Sequence, residues 1–140
     1  MGETMSTDDE ARREENARKL AEMLAWDGEP EVYLQHLDDN VQYTAPYYDG
    51  FGVRASKAEV ASMVGAVQEM FAKVKYEVVD IITTTDPDYL IAEVQGRNVI
   101  KSTGLPYENY YIMMVKFRDG KVVEWREYSN PLVMSKARGE

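Results

Sequence analysis

Apolar positions recur at helical spacing near the start of the chain and alternate with polar ones through its second half. Asp8, Asp9 and Glu10 put negative charge in a first turn, where the helix dipole favours it, and Ala17, Leu20, Ala21 and Leu24 continue as one apolar stripe. Residues Met1 to Thr7 carry no such pattern and read as a disordered N-terminus, leaving 8–140 as a single domain. Trp26, Asp27 and Gly28 mark a turn. Pro30 suits the first position of a short second helix, to which Val32, Tyr33, Leu34 and Leu37 give an apolar side before Asp38, Asp39 and Asn40 end it. Val41, Tyr43 and Ala45 then alternate as a strand, and Pro46, Gly50 and Gly52 mark a loop. Ser56 with Glu59 three residues on is a capping box, opening a third helix with Val60, Met63, Val64, Val67 and Phe71 on one face. After Lys73 the period changes to two. Strands are predicted over 76–82, 89–101, 107–117 and 122–128, separated by Asp86-Pro87, Gly104 to Pro106 and Asp119-Gly120. Helices first and strands last predict an α+β fold with a mostly antiparallel sheet.

The turn at Asp119-Gly120 decides what faces what. A two-residue loop would set Ile112 against Glu127 and mix apolar with polar partners. A three-residue loop of Arg118, Asp119 and Gly120 pairs Phe117 with Lys121, Val115 with Val123, Met113 with Trp125 and Tyr111 with Glu127, and keeps one face apolar. That register is expected, because a slip of one residue reverses every side chain. It leaves Val122, with Ile112 and Tyr110, on the outer face.

Alternation also sends Glu127 to the same face as Val123 and Trp125. Burial disfavours a charged carboxylate and raises its pKa, and a nearby hydroxyl such as Tyr111 can hold either protonation state. Those are the properties of a general acid or base. A place near the strand end, reached by water or paired with an Arg, would equally account for a glutamate there.

Composition narrows the chemistry. The chain has 140 residues, 16 Lys plus Arg against 25 Asp plus Glu, a net charge of -9, one His and no Cys. A chain of this size buries roughly two thirds of its unfolded surface and needs no metal or disulfide for stability. Nucleic acid and anionic membrane surfaces are not expected partners, since both recruit Lys and Arg. No segment is long and apolar enough to span a bilayer and the acidic N-terminus lacks a signal peptide, so the cytoplasm is the expected location. Without Cys there is no thiolate metal site or cysteine nucleophile. His36 sits at a predicted helix end, where a surface or capping role is the ordinary one, and Asp38-Asp39 is too local a pair to hold a metal. Gly50-x-Gly52 lacks the further glycine of a dinucleotide loop. No metal and no cofactor is expected. Ten Tyr beside two Trp and three Phe suit a greasy pocket that also offers hydroxyls. Met63 and Met113 suit core filling or an adaptable pocket wall.

The element order and the closing stretch Arg126-Glu127-Tyr128-Ser129-Asn130-Pro131, with Asp86-Pro87, Gly96, Tyr107-x-Asn109, Phe117-x-x-Gly120, Ala137 and Gly139, resemble the NTF2-like superfamily. That superfamily includes ketosteroid isomerase, the SnoaL-type polyketide cyclases and scytalone dehydratase, and the chain looks most like its PhzA/PhzB group. The resemblance implies a cone: a curved sheet wrapped around a pocket closed by the three helices, with homodimers formed through the outer sheet. In the PhzA/PhzB group the Glu of the Arg-Glu-aromatic stretch is the acid/base residue, which corresponds here to Glu127. The group's pocket histidine aligns near Met63, and Ala45 stands before Pro46 where ketosteroid isomerase has its basic Asp, so neither mechanism transfers whole.

The resulting expectation is a cofactor-independent cyclase or isomerase of natural-product biosynthesis acting on a hydrophobic, oxygenated, polyketide-like intermediate. Glu127 is the expected catalytic residue, with Tyr111, Asn109, Tyr43, Trp125, Met63, Met113 and Asn98 around the substrate. Shaping a flexible chain for ring closure, including a pericyclic one, would supply further rate. Alternatives are a non-catalytic small-molecule binding protein of the same fold, a PhzA/PhzB-like condensing enzyme and, less well supported by the residues, an epoxide hydrolase.

Overall fold

A computed structural model describes residues 6–25, 29–47 and 54–137. The expected turn at Trp26 to Gly28, the loop glycines Gly50 and Gly52, Gly139 and residues 1–5 of the expected N-terminal segment lie outside these residues. The elements are α1 (Thr7–Leu24), α2 (Pro30–Leu34), β1 (Leu37–Thr44), β2 (Arg54–Ala55), α3 (Lys57–Met70), β3 (Phe71–Lys73), β4 (Tyr76–Thr83), β5 (Tyr89–Ile100), β6 (Pro106–Arg118), β7 (Lys121–Tyr128) and α4 (Pro131–Ala137).

Helix α1 begins at Thr7 because the Ser6 side chain accepts the Asp9 amide, so order starts before the expected boundary at Asp8. Its buried stripe is Asn16, Leu20, Met23 and Leu24. Asn16 is a polar member that sequence spacing did not single out; its Nδ2 donates to the Pro87 carbonyl and to Asp88 Oδ1, tying α1 to the Asp86-Pro87 turn. Ser56 caps α3 by accepting the Glu59 amide. Two expectations at element ends need correction, and one element was not anticipated. Leu37 and Asp38 to Asn40 belong to β1, since β1 pairs with β7 from Leu37 onward. Phe71 leaves α3 to pair with Ile100 and stacks on the Tyr107 ring at 5.4 Å. A fourth helix follows Pro131, its start stabilised by Asn130 Oδ1 accepting the Leu132 amide.

One seven-stranded sheet runs β2-β1-β7-β6-β5-β3, with β4 also paired to β5; β1 and β7 are parallel and the other pairs antiparallel. Register shifts in β1/β7, β3/β5, β4/β5 and β6/β7 act as bulges, which bend strands and curve the sheet. Alternation in β5 and β6 is strict: Leu90, Ala92, Val94, Asn98 and Ile100, with Tyr107, Asn109, Tyr111, Met113, Val115 and Phe117, face inward and are buried. Helices α1 to α3 cover this concave side. Each fully buried large apolar side chain there, such as Leu20, Leu90, Phe117 or Trp125, contributes roughly 1.5–3 kcal/mol relative to exposure.

The β6–β7 hairpin departs from the expected register. Arg118 pairs with Lys121, leaving Asp119 (φ 51°) and Gly120 (φ 79°) as a two-residue loop, both left-handed. Such a loop carries the right-handed twist of its strands, whereas a three-residue loop is not needed. The extra residue that keeps the apolar faces in phase lies inside β7: Phe117 pairs with Val122, Lys116 with Glu124, and Val123 is the bulge. Val122 is therefore buried inward and not on the outer face. Trp125 pairs with Val115 and Glu127 with Met113, so Tyr111 does not oppose Glu127.

Candidate active site

The site begins with strand parity. Trp125 and Glu127 are two residues apart on β7 and share its inward face, and the parallel pairing of β1 sets Tyr43 beside Trp125. The three side chains converge: Trp125 Nε1 donates to Glu127 Oε1 at 3.2 Å and the Tyr43 hydroxyl donates to Oε2 at 3.0 Å. Each carboxyl oxygen thus has one neutral donor. Tyr33 of α2 packs edge-on against Trp125 at 5.3 Å between ring centroids. Across the space Tyr76 of β4 meets Tyr111 of β6 edge-on at 5.9 Å. These two rings come together over Gly96 of β5, where a Cβ would stand 3.0 Å from Tyr111 Cε2 and 3.1 Å from Tyr76 Cε1. The absence of a side chain at position 96 therefore has a steric cause.

These residues surround a cavity of about 120 Å³. Met23 and Leu24 of α1, Met63, Val64 and Val67 of α3, and Met113 of β6 complete its wall. No described lining residue is Lys, Arg or His. Burial raises the Glu127 carboxyl above its ordinary value of 4.5, and the bonds from Trp125 and Tyr43 work in the opposite direction by favouring the charged form. Burial, with the Glu127 charge nearby, pushes the Tyr33 and Tyr43 phenols up, so both stay protonated donors. Burial likewise raises Tyr111. A carboxyl that can hold or release a proton, in an apolar space lined with phenols, is equipped for proton transfer.

Of the residues expected around the site, Glu127, Tyr43, Tyr111, Trp125, Met63 and Met113 line the cavity. Asn109 and Asn98 are not lining residues. Asn109 binds the Tyr107 hydroxyl and the Asn130 carbonyl through Nδ2, and accepts the Tyr110 and Asn130 amides at Oδ1, clamping the strand to the 129–131 stretch. Asn98 accepts the Lys75 amide and donates to the Tyr76 hydroxyl, so it fixes a lining residue from behind. Reading by alternation missed Tyr33, Tyr76, Met23, Leu24, Val64 and Val67 as wall residues. Leu24, Val64 and Val67 lie on the apolar stripes read from the sequence, which gave a signal for burial but none for a cavity. His36 lies 3.4 Å from Glu22 and away from the cavity. Among the described residues no group of three His, Cys, Asp or Glu could hold a metal, and no helix is long and apolar enough to cross a membrane.

A curved, open sheet with helices over one inward cavity defines the NTF2-like cone. Within that class the chain belongs to the SnoaL-like domain family, whose model matches residues 17–125. The match stops two residues before Glu127, so membership and the role of that residue rest on separate observations. The Bacillus subtilis (strain 168) protein YesE, itself uncharacterized, is 31% identical over 104 residues, 73% of this chain and 71% of that protein. A Bacillus subtilis protein provisionally assigned as an isomerase has a solved structure that is 27% identical, covers 94% of this chain and 95% of its own, and gives a TM-score of 0.77. The phenazine biosynthesis-related protein PhzB2 of Pseudomonas aeruginosa shares the fold at TM-score 0.81 with 18% identity, over 93% of this chain and 88% of its own.

Proposed function

We propose that this protein is a cofactor-independent isomerase or cyclase that binds a hydrophobic, oxygenated intermediate of natural-product metabolism and moves a proton with Glu127. The observation that carries the reading is the half-buried Glu127 carboxyl, held by Tyr43 and Trp125 in a cavity otherwise walled by apolar and aromatic side chains. An ionised Glu127 accepts a proton from carbon beside a substrate carbonyl, and a protonated Tyr hydroxyl faces the charge that develops on oxygen. The same carboxyl returns the proton at a new position, giving an isomer with no net change in protons. For a flexible chain, the concave cavity favours a folded conformer from which a ring forms. The names of two structural relatives, an isomerase and a phenazine biosynthesis-related protein, are in keeping with this class.

A homodimer belongs to the same proposal. Tyr110, Ile112 and Ile82 remain exposed at 61%, 41% and 43% on the outer side of the sheet, and a second copy would cover them. Sedimentation at micromolar concentration should report twice the mass of 16.0 kDa.

Deuterium uptake from D2O into the α positions of cyclohexanone, followed by NMR, tests the chemistry without the natural substrate. The wild-type protein should exceed buffer, and Glu127→Gln should lower the enzymatic rate by about 100-fold or more, the usual contribution of a general base. An unchanged rate in the variant would remove Glu127 from proton transfer.

A further inference from the structure

The charges around the cavity point to a class of ligand. Glu127 is the one carboxyl among the described lining residues, and no described cation faces it. Its two hydrogen-bond donors, Trp125 Nε1 and the Tyr43 hydroxyl, are neutral, so they orient the carboxyl without cancelling its charge. A half-buried carboxylate that meets no counter-ion among the described lining side chains is partly desolvated at a cost, and a ligand that supplies positive charge offsets it. A ligand bearing a carboxylate or phosphate finds no described Lys, Arg or His there and meets a like charge.

The walls favour the same sign. Tyr33, Tyr43, Tyr76, Tyr111 and Trp125 all line the cavity. Tyr33 meets Trp125 at 71° and Tyr76 meets Tyr111 at 68°, so the rings enclose the space from different directions and do not stack into one slab. Aromatic rings attract a cation through the negative potential of their faces, most strongly where water is excluded. The cavity is open on one side, and its volume of about 120 Å³ is on the scale of the roughly 150 Å³ apolar cavity that takes a benzene, so it suits a ligand with about one ring inside.

We propose that the cavity takes a small hydrophobic amine, a single-ring body whose ammonium nitrogen pairs with Glu127 against the aromatic walls. The inference rests on the proposed reading in that this same cavity receives the substrate, and it names that substrate's class: an oxygenated ring compound carrying a basic nitrogen. A cation beside Glu127 also holds the carboxyl in the ionised form, the one that accepts a proton.

Three probes of nearly equal size separate the possibilities: benzylammonium, benzyl alcohol and benzoate, each titrated calorimetrically into the full-length protein at neutral pH. Benzylammonium should bind at least tenfold more tightly than benzyl alcohol, and benzoate should give no measurable heat. Glu127→Gln should bring benzylammonium to within about threefold of benzyl alcohol. Tyr76→Leu, which removes a wall ring and keeps the charge, should weaken benzylammonium more than benzyl alcohol, and it serves if the first variant fails to fold. Equal binding of the ammonium and the alcohol to the wild-type protein would overturn the amine class, with Glu127-dependent exchange of cyclohexanone still upholding the proton-transfer reading. Binding of benzoate in preference to the other two would overturn the amine class as well. If none of the three binds and cyclohexanone does not exchange, both readings fall.

Discussion

Replacing Gly96 by alanine tests how the cavity is shaped. The new methyl would lie 3.0 Å from Tyr111 Cε2 and 3.1 Å from Tyr76 Cε1, against about 3.5–4.0 Å for favourable carbon contacts. Each ring must therefore retreat by roughly half an ångström. Neither is free to do so, because Asn98 Nδ2 holds the Tyr76 hydroxyl at 3.3 Å and the two rings pack edge-on against each other. Overpacking of this kind costs about 1–3 kcal/mol, while the stiffer unfolded chain of an alanine returns about 0.4–1 kcal/mol. The net loss should be about 0.5–2 kcal/mol, or roughly 2–8 °C in Tm for a domain of this size. Gly65 on α3 is the control. Nothing lies within 4 Å of a Cβ built there, so Gly65→Ala should gain up to about 1 kcal/mol from helix propensity alone. Calorimetric melting of both variants, with benzylammonium titrations on the folded proteins, measures stability and cavity shape together. If Gly96→Ala melts at or above the wild type and binds the probe unchanged, the two tyrosines are not held where the geometry places them.

Two further expectations follow from the hydrogen bonds and burial around the site. Glu127 binds its proton more tightly in the folded state than in the unfolded one, so its contribution to stability is complete below the ordinary value of 4.5 and is lost as pH rises through the raised value. Glu127→Gln has no such loss, and chemical denaturation should show its stability relative to wild type improving as pH climbs from about 4 to 8, whereas a constant difference would place the carboxyl in water. Asn109→Ala should cost about 2–4 kcal/mol in urea unfolding, because it strips partners from buried groups, yet change cyclohexanone exchange less than threefold in the folded protein; a large loss of exchange would return Asn109 to the substrate's surroundings.

What could be read from the sequence was set by parity and local spacing. Trp125 and Glu127 lie on one strand, so they share a face whichever residues stand opposite, and the shared face survived an incorrect hairpin register. The residue opposite Glu127 depended on that register and changed from Tyr111 to Met113, while its hydrogen-bond donors are Tyr43 and Trp125. Val122 and Val123 are both apolar, so no pattern in the sequence distinguishes the inward residue from the bulge. The Tyr43 contact arises from the parallel pairing of β1 with β7, a long-range choice that local alternation does not encode. Asn98 and Asn109 did carry a signal, as polar residues at inward positions, but the same signal marks a substrate ligand or a satisfied structural amide. Tyr33 and Met23 sit on ordinary helix faces, where only the placement of the helices over the sheet turns core residues into a cavity wall.

The central claim is that the cone keeps a titratable, ligand-responsive carboxyl at Glu127. Carbon-13 NMR of the Glu127 side-chain carboxyl, assigned by comparison with Glu127→Gln, measures this directly across pH. The titration midpoint should lie above 4.5, should rise further in Tyr43→Phe, where a bond favouring the ionised form is gone, and should fall when benzylammonium is bound. A midpoint at or below 4.5 that responds to neither change would contradict the account.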